Sequence, residues 1–278
     1  MKAIFAAPVI IVGALVGVLL TFIVILLIIA PIILMRPRAK KPQNEKLLCD
    51  YAHRGLHGNG IPENSLAAFE LACQEGYGIE LDVQLSRDGE VMVFHDYTLV
   101  RMTGDGRKLC EVDASELQGL SLAETSQFIP TFREVLDLVG GRVPILVELK
   151  GESFDTSLCP KVAEILKSYT GDYCVESFNP LLIKDIQKYL PDVYCGLLYT
   201  NACKEKKKYS IINIAVSCML LNFLAKPNFI AYSKHFKSSL PVKISTGLYK
   251  APKFVWTVQN EEEFDQAHLN GEFAIFER

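Results

Sequence analysis

From Leu47 onwards, the chain alternates short apolar runs with stretches of helical periodicity. Runs such as YGIELDVQL, RVPILVELK and VYCGLLYT have the length of buried strands. This alternation predicts a parallel sheet covered by helices, an α/β fold. About eight strands in roughly 230 residues favour a closed TIM-type (β/α)8 barrel over an open doubly wound sheet. The first turn also lacks the glycine-rich fingerprint of a dinucleotide fold, which disfavours the open sheet.

The N-terminal segment has the composition of a membrane anchor. Residues 9–35 are 27 positions without a charged side chain, and about 20 apolar residues suffice to span a bilayer. A secretory signal would have an apolar stretch of about 7–15 residues and a small-residue cleavage site, and neither fits this run. We therefore predict a single transmembrane helix within an anchor at 1–35, a basic polar linker at 36–46 and the barrel at 47–278.

The charges that flank the anchor predict its orientation. Lys2 precedes it, whereas Arg36, Arg38, Lys40 and Lys41 follow it within six residues. The positive-inside rule places the more basic flank, and the barrel with it, in the cytoplasm. The eight cysteines are scattered and have no zinc-site spacing, which suits a reducing compartment, although an even number also permits disulfides.

The charge balance bears on the partners of the protein. A net charge of -3 gives no reason to expect nucleic acid, which favours basic domains. The lysine cluster at 204–208 is interpreted as a solvated loop, with anionic lipid as the alternative partner. The apolar run at 211–224 is too short for a second span and predicts a core helix, with lipid contact as the alternative. The sequence makes no prediction of oligomeric state.

Charged residues interrupt two of the apolar runs at positions that share a face. Side chains two positions apart on a strand point the same way, which pairs Glu80 with Asp82 and Glu148 with Lys150. If the apolar neighbours pack against the helices, these charges face the barrel mouth, where such barrels carry their active sites. Crowded carboxylates need a cation or protons, and a hard divalent ion, magnesium or calcium, would supply the charge. Structural ion pairs at strand ends are the alternative.

Two histidines follow apolar runs at the same predicted rim. His53 ends the first strand, and His95 ends the third apolar run. Imidazole titrates near neutral pH, so two of them can serve as base and acid on opposite sides of a reacting centre. Arg54 and Lys150 add fixed positive charge, which together with a metal ion describes a site for a phosphate group. The absence of a nucleophile in a GxSxG-type turn disfavours hydrolysis through an acyl or phosphoryl intermediate on the protein. A phosphodiester is the simplest substrate that uses every one of these groups.

The order of several short motifs resembles that of the glycerophosphodiester phosphodiesterase family. The motifs run from about residue 51 to the end, and the set is more specific than any one of them. They are HRG at 53–55, PEN at 62–64, ELD at 80–82, HD at 95–96, IPTFREVLDLV before ELK at 148–150, SF at 177–178 and WTV at 256–258. The resemblance implies a TIM barrel. One departure is the last strand, GEFAIFER, which lacks the Thr-Asp often found there.

The resemblance also implies a role for each matched residue. Glu80, Asp82 and Glu148 resemble the metal ligands, and His53 and His95 the acid–base pair. The residues that resemble substrate contacts are Arg54 and Lys150 at the phosphate, Glu63 at the start of the helix beside the site, and Trp256 in a wall of the pocket. His57, His235 and His268 have no motif support and are predicted to be solvent or loop histidines.

The implied reaction is metal-dependent hydrolysis of a glycerophosphodiester to glycerol 3-phosphate and an alcohol. The glycerol hydroxyl of the substrate attacks phosphorus, one histidine accepts its proton, and the other protonates the departing alkoxide. Water then opens the cyclic phosphate. Two alternatives stay open: a lysophospholipase D that acts on lysoglycerophospholipids, and a catalytically silent barrel that binds lipid head groups.

Overall fold

The computed structural model describes residues 2–42, 44–151 and 154–278, with side chains described from Gly13 onwards. Met1 of the predicted anchor and Gln43 of the predicted linker lie outside the described residues. The described strands are β1 Tyr51–Ala52, β2 Gly78–Leu85, β3 Val91–Val93, β4 Ile145–Leu149, β5 Tyr173–Ser177, β6 Cys195–Tyr199, β7 Phe229–Ser233, β8 Lys253–Val258 and β9 Phe273–Phe276.

Helices lie between most of these strands. The α-helices are α1 Lys2–Leu34, α2 Leu66–Glu75, α3 Val100–Thr103, α4 Ala114–Leu117, α5 Phe132–Val139, α6 Leu158–Ser168, α7 Pro180–Tyr189, α8 Ala202–Glu205, α9 Ile211–Ser217, α10 Asn222–Ala225, α11 Leu240–Val242 and α12 Glu261–Leu269. Short 3-10 helices occur at Glu45–Leu47, Leu109–Glu111 and Lys234–Phe236, and a π-helix at Lys243–Leu248.

Eight of the described strands form a closed parallel barrel. β1 pairs with β2 on one side and with β9 on the other, which closes the order β1-β9-β8-β7-β6-β5-β4-β2. The predicted TIM barrel is therefore confirmed. β3 is the exception, because it folds back antiparallel along β2, with Val83 opposite Val93. The third apolar run is thus a short extension outside the barrel.

The strand period of two builds a core with two layers. Outward-facing residues of the strands, such as Leu81 and Val147, pack with the helices in one large apolar cluster. Inward-facing residues form a second cluster, which fills the lower part of the barrel. This barrel floor includes Tyr51, Leu146, Cys174, Phe229, Phe254 and Ile275. Residues two positions further along each strand point to the same side, so they lie above this floor at the barrel mouth.

The position of α2 follows from ordinary capping rules. Ser65 is its N-cap, and the hydroxyl of Ser65 accepts a hydrogen bond from the amide of Ala68. Gly76 ends the helix in the left-handed conformation, with φ +76°. Because the cap follows directly after Glu63 and Asn64, the start of α2 holds these two residues close to the end of β1.

The apolar segments outside the barrel have two different structures. Residues Gly13–Leu34 of α1 form a helix that is long and apolar enough to cross a membrane, and its side chains are largely exposed. The run at 211–224 forms two short helices, α9 and α10, which are separated near Met219 with its φ of +51°. Ile211 and Ile212 in α9 are 87% and 62% exposed. The prediction of a core helix here is wrong, because α9 turns these apolar side chains outwards.

Candidate active site

The barrel mouth carries polar residues directly above the apolar floor. His53 stands two positions after Tyr51, Glu148 two after Leu146, and Glu176 two after Cys174. The same spacing relates Trp256 to Phe254 and Glu277 to Ile275. The alternation of strand side chains therefore brings an imidazole, three carboxylates and an indole to one end of the barrel.

Three carboxylates form the centre of this layer. Oxygen atoms of Glu80, Asp82 and Glu148 all lie within 4.8 Å of one another, and all three side chains are buried. Lys150 joins them, with its Nζ atom 3.0 Å from Glu148 Oε1 and 3.3 Å from Asp82 Oδ1. Asn64 donates a hydrogen bond to Asp82 Oδ2 at 2.9 Å. The structure thus brings the three predicted metal ligands into one cluster.

The pKa values of the three carboxyl groups diverge because their neighbours differ. Burial raises the pKa of Glu148 to about 7, although Lys150 opposes the shift. Burial also raises the pKa of Glu80 well above its usual value, and the nearby carboxylates add repulsion. Burial acts in the same direction on Asp82, but Lys150, His95 and Arg54 outweigh it and lower the pKa of this carboxyl. One carboxylate is therefore compensated by cations, whereas the other two lack sufficient positive charge.

His53 is oriented by a carboxylate at the end of the chain. Its Nδ1 atom lies 2.6 Å from Oε1 of Glu277, which directly follows β9. With Nδ1 engaged in this way, Nε2 is the nitrogen left to act on a substrate. Burial lowers the pKa of His53, while the hydrogen bond to Glu277 raises it in partial compensation. His57 lies in the loop after β1, as predicted, and its Nε2 atom is 3.8 Å from the same Glu277 oxygen.

His95 reaches the site by a route different from the one predicted. It follows β3, which is antiparallel, and the amide of Phe94 donates to the carbonyl of Asp82. Gln84 then donates to the carbonyls of Phe94, His95 and Asp96, which fixes the backbone of this turn. Burial lowers the pKa of both His95 and His53, and the charge of Asp82 opposes this shift in each, so both imidazoles lie within electrostatic range of one carboxylate.

The orientation of His95 depends on a chain of ion pairs. Its Nδ1 atom lies 2.6 Å from Asp96 Oδ1, and Arg101 binds the other oxygen of Asp96 at 2.6 Å. Arg101 also donates to Glu63 at 2.6 Å, and Glu63 accepts from Arg54 Nη1 at 2.8 Å. Glu63 therefore bridges two arginines, and this contact ties the first strand to the loop that carries His95.

Trp256 lies at the rim on β8, where it is half-buried. Its indole Nε1 donates to the carbonyl of Ala231 at 3.1 Å. The ring meets the edge of Phe178, with centroids 5.6 Å apart and planes at 86°. Because Phe178 is partly exposed, the two rings form an apolar border at the mouth of the barrel.

This constellation can be compared with known proteins. The model of the glycerophosphoryl diester phosphodiesterase family matches residues 53–276. The chain belongs to this family. A family member from Caldanaerobacter subterraneus, a glycerophosphodiester phosphodiesterase, is 31% identical over 228 residues, which cover 77% of this chain and 87% of the relative.

Solved structures place the barrel in the same fold group. A phosphodiesterase from Oleispira antarctica, solved in complex with the product sn-glycerol-3-phosphate, has a TM-score of 0.68 and 23% identity, and the match covers 82% of this chain and 92% of that one. A glycerophosphodiester phosphodiesterase from Thermotoga maritima has a TM-score of 0.63 and 27% identity, with 82% and 94% coverage. The family fold agrees with the barrel observed here.

Some residues of the site are missed by the sequence analysis. Glu277 directly follows the last strand and lies outside the motifs that carry the resemblance, and Glu176 precedes the SF motif without being part of it. Glu176 is buried and faces the same interior, and its Oε2 atom has no hydrogen-bond partner among the described residues. The sequence signal that could have revealed both is their spacing from an inward-facing residue: Glu277 stands two positions after Ile275, and Glu176 two positions after Cys174.

The carboxylate cluster fits a divalent cation. Its oxygens are close enough to share one ion, and Asp82 Oδ1 forms the ion pair with Lys150 but accepts no hydrogen bond within the described part of the chain. Carboxylate oxygens are the ligands that magnesium and calcium prefer. Lys150 and Arg54 supply two positive charges near three carboxylates, so the cluster lacks one positive charge for balance. The residues that would hold the ion are Glu80, Asp82 and Glu148.

A glycine in the HRG motif offers a test of how the turn after β1 is held. Gly55 has a φ of +79°, and a Cβ there would lie 2.8 Å from the backbone of Ala68 in α2. Gly60 has a similar φ of +87°, but a Cβ there would meet no described atom within 4 Å. We expect Gly60→Ala to cost about 1–2 kcal/mol of stability from strain, and Gly55→Ala to cost about 1–3 kcal/mol more from overpacking. Thermal unfolding of the full chain in detergent measures the difference, and equal losses would contradict it.

The raised pKa of Glu148 predicts a stability that depends on pH and metal. A carboxyl group whose folded pKa is raised contributes stability that is fully present below its unfolded pKa and is lost as pH rises from there through the folded value of about 7. In EDTA, the wild type should therefore lose roughly 2–3 kcal/mol relative to Glu148→Gln between about pH 5 and about pH 8. The histidines titrate in both proteins, so their effect cancels in this difference.

The same pair of proteins tests the metal. At about pH 8, magnesium or calcium should raise the unfolding temperature of the wild type more than that of Glu148→Gln, because the ion replaces the missing positive charge. A pH-independent difference in EDTA would show that the pKa of Glu148 is not raised, and equal stabilisation of both proteins by the ions would show that Glu148 lies outside a metal site.

Proposed function

We propose that this protein is a metal-dependent phosphodiesterase that hydrolyses glycerophosphodiesters to glycerol 3-phosphate and an alcohol. Membership of the glycerophosphoryl diester phosphodiesterase family supports this activity. The observation that carries the proposal is the shared cluster of Glu80, Asp82 and Glu148, with His53 and His95 both in electrostatic range of Asp82. A silent barrel that only binds head groups would have no need for this complete set.

The two histidines are proposed to transfer the protons of the reaction. Each has its Nδ1 atom bound to a carboxylate, which leaves Nε2 to face the substrate. Burial lowers the pKa of both imidazoles, so neither is locked in the charged form. One accepts the proton of the glycerol hydroxyl as this oxygen attacks phosphorus, and the other donates a proton to the leaving alkoxide. The cyclic phosphate that results is opened by water with the roles exchanged.

Cationic side chains are proposed to contact the phosphate. Arg54 and Lys150 lie beside the carboxylate cluster, and each is held in place by ion pairs with it. Fixed positive charge in this position stabilises negative charge that develops on phosphoryl oxygens. Trp256 supplies an apolar wall, and Glu63 sets the position of Arg54. A bound magnesium or calcium ion would supply further stabilisation of that negative charge.

Histidine variants and a substrate panel test this mechanism. His53→Ala and His95→Ala should each lower kcat at least about 100-fold, with an unchanged unfolding temperature. His268→Ala, an exposed histidine of α12 that pairs with Asp50 at the opposite end of the barrel, is the matched control and should retain activity. The measurement is release of glycerol 3-phosphate from several glycerophosphodiesters, with and without EDTA, and release of the alcohol from one diester that lacks the attacking hydroxyl.

The outcomes of this experiment separate the alternatives. Failure on every diester with either metal present would favour a binding protein. Hydrolysis of the diester that lacks the hydroxyl would exclude attack by the substrate itself. Near-normal turnover in either histidine variant would refute the role of that residue.

We further propose that Glu277 is a positioning residue for His53. Glu277→Gln should lower kcat at least about 10-fold with little change in KM, because the imidazole loses its orientation. Without the carboxylate the pKa of His53 should fall further, which shifts one limb of the pH–rate profile to lower pH. Glu277→Asp should restore part of both effects. An unchanged pH–rate profile in Glu277→Gln would show that Glu277 has only a structural role and does not position His53 for catalysis.

We also propose that α1 spans a membrane, with the barrel at residues 47–278 on the cytoplasmic side. The support is the length and apolar exposure of Gly13–Leu34 and the basic residues that follow it. An anchored enzyme meets lipid-derived substrates at high local concentration, so lysophospholipase D activity on lysoglycerophospholipids is a second candidate function.

A further inference from the structure

The end of α1 is attached to one side of the barrel. The Met35 side chain is buried, and its carbonyl accepts hydrogen bonds from Asn222 Nδ2 at 2.7 Å and from Ser245 Oγ at 3.5 Å. Tyr249 donates to the carbonyl of Ile32 at 2.9 Å. These partners belong to the crossovers that follow β6 and β7. A membrane crossed by α1 would therefore lie beside these two crossovers.

The same crossovers expose an unusual number of apolar side chains. Their exposure ranges from 45% to 87%. We call this set the docking face, and it consists of Ile211, Ile212, Ile214, Phe223, Leu240 and Leu248. Side chains of this size are costly to leave in water when they lie together. The docking face belongs to the two crossovers that bind the end of α1.

The net charge of the segment that contains both crossovers, residues 201–250, is opposite in sign to that of the rest of the chain. Residues 201–250 contain nine lysines and one glutamate, a formal charge of +8, whereas the whole chain carries -3. The other 228 residues therefore carry -11. Two of the lysines, Lys234 and Lys237, pair with Glu263 and Glu272. The seven exposed ones are Lys204, Lys206, Lys207, Lys208, Lys226, Lys243 and Lys250.

We infer that the docking face lies in the head-group region of an anionic bilayer, the one that α1 crosses. This inference rests on the proposed span of α1 and goes beyond the proposed reaction. Apolar side chains enter the boundary between head groups and acyl chains, and each lysine near an anionic surface contributes about 1 kcal/mol. Neither feature alone selects a membrane, but both belong to the two crossovers that bind the end of the apolar helix.

The docking face lies on crossovers that begin at the active-site rim. Both crossovers begin at the carboxyl ends of their strands, which form the rim that carries the active site. Tyr199 at the end of β6 contacts Phe236 in the next crossover, with ring centroids 6.5 Å apart. The two crossovers that carry the docking face therefore contact each other next to the rim.

Photo-crosslinking of the full chain in nanodiscs tests the inference. The photoreactive residue p-benzoylphenylalanine would replace Ile212 in the docking face. In a control it would replace Gln74, an exposed residue of α2. The strand order places α2 across the barrel from the β6–β7 crossover. Nanodiscs of phosphatidylcholine with phosphatidylglycerol would be compared with phosphatidylcholine alone, and adducts identified by mass spectrometry.

We expect lipid adducts at position 212, with more of them when phosphatidylglycerol is present, and none at position 74. Adducts to a second copy of the chain would overturn the inference in favour of self-association. Equal lipid labelling at both positions, or none at position 212, would also overturn it. The readout is independent of catalysis, so it can fail or succeed separately from the proposed function.

An activity measurement gives a second arm with matched variants. Ile212→Glu should lower turnover of a lysophospholipid held in anionic vesicles at least about fivefold, because a charge opposes entry into the interface. Gln74→Glu adds the same charge on α2 and should have no such effect. Both variants should hydrolyse a water-soluble glycerophosphodiester at the wild-type rate. Equal turnover of the vesicle-bound lipid by the two variants would contradict the inference.

Discussion

Mutual repulsion among three buried carboxylates is the constraint on which the barrel mouth depends. Glu80, Asp82 and Glu148 lie within 4.8 Å of one another, where two nearby cations compensate them only in part. Such a cluster is costly to bury unless another positive charge or protons complete it. The neighbouring contacts follow from this need, since Asn64, Lys150 and the amide of Arg54 all donate to or pair with these groups.

Around this centre, the two histidines are held by different means. Glu277 at the end of the last strand binds His53 directly, so the closure of the barrel by β1 and β9 also sets the position of this imidazole. His95 lies on a loop and depends on Asp96 and Arg101, which connect through Glu63 to Arg54. A change in either support would alter proton transfer without touching the carboxylate cluster. Catalysis would then depend on geometry that extends over much of the rim.

Much of this arrangement could be predicted from the sequence, because strand side chains alternate strictly. The shared faces of Glu80 with Asp82 and of Glu148 with Lys150 are local properties of their strands. Closure of the barrel then brings these side chains together at one mouth. The route of His95 could not be predicted, because β3 has the composition of a barrel strand and its antiparallel direction depends on tertiary pairing with β2. Glu277 lies outside the motifs that carry the resemblance, and only its two-residue spacing from Ile275 reveals its orientation. The outward face of α9 was missed because apolar periodicity shows which face is apolar and does not show whether protein or lipid covers it.

The most direct test of the central claim is a crystal structure of the full chain with manganese and glycerol 3-phosphate, in which anomalous scattering locates the ion. The account predicts one strong anomalous peak bounded by Glu80, Asp82 and Glu148, with the phosphate between that peak and the imidazoles of His53 and His95. An ion bound elsewhere, or a phosphate remote from the two imidazoles, would contradict it.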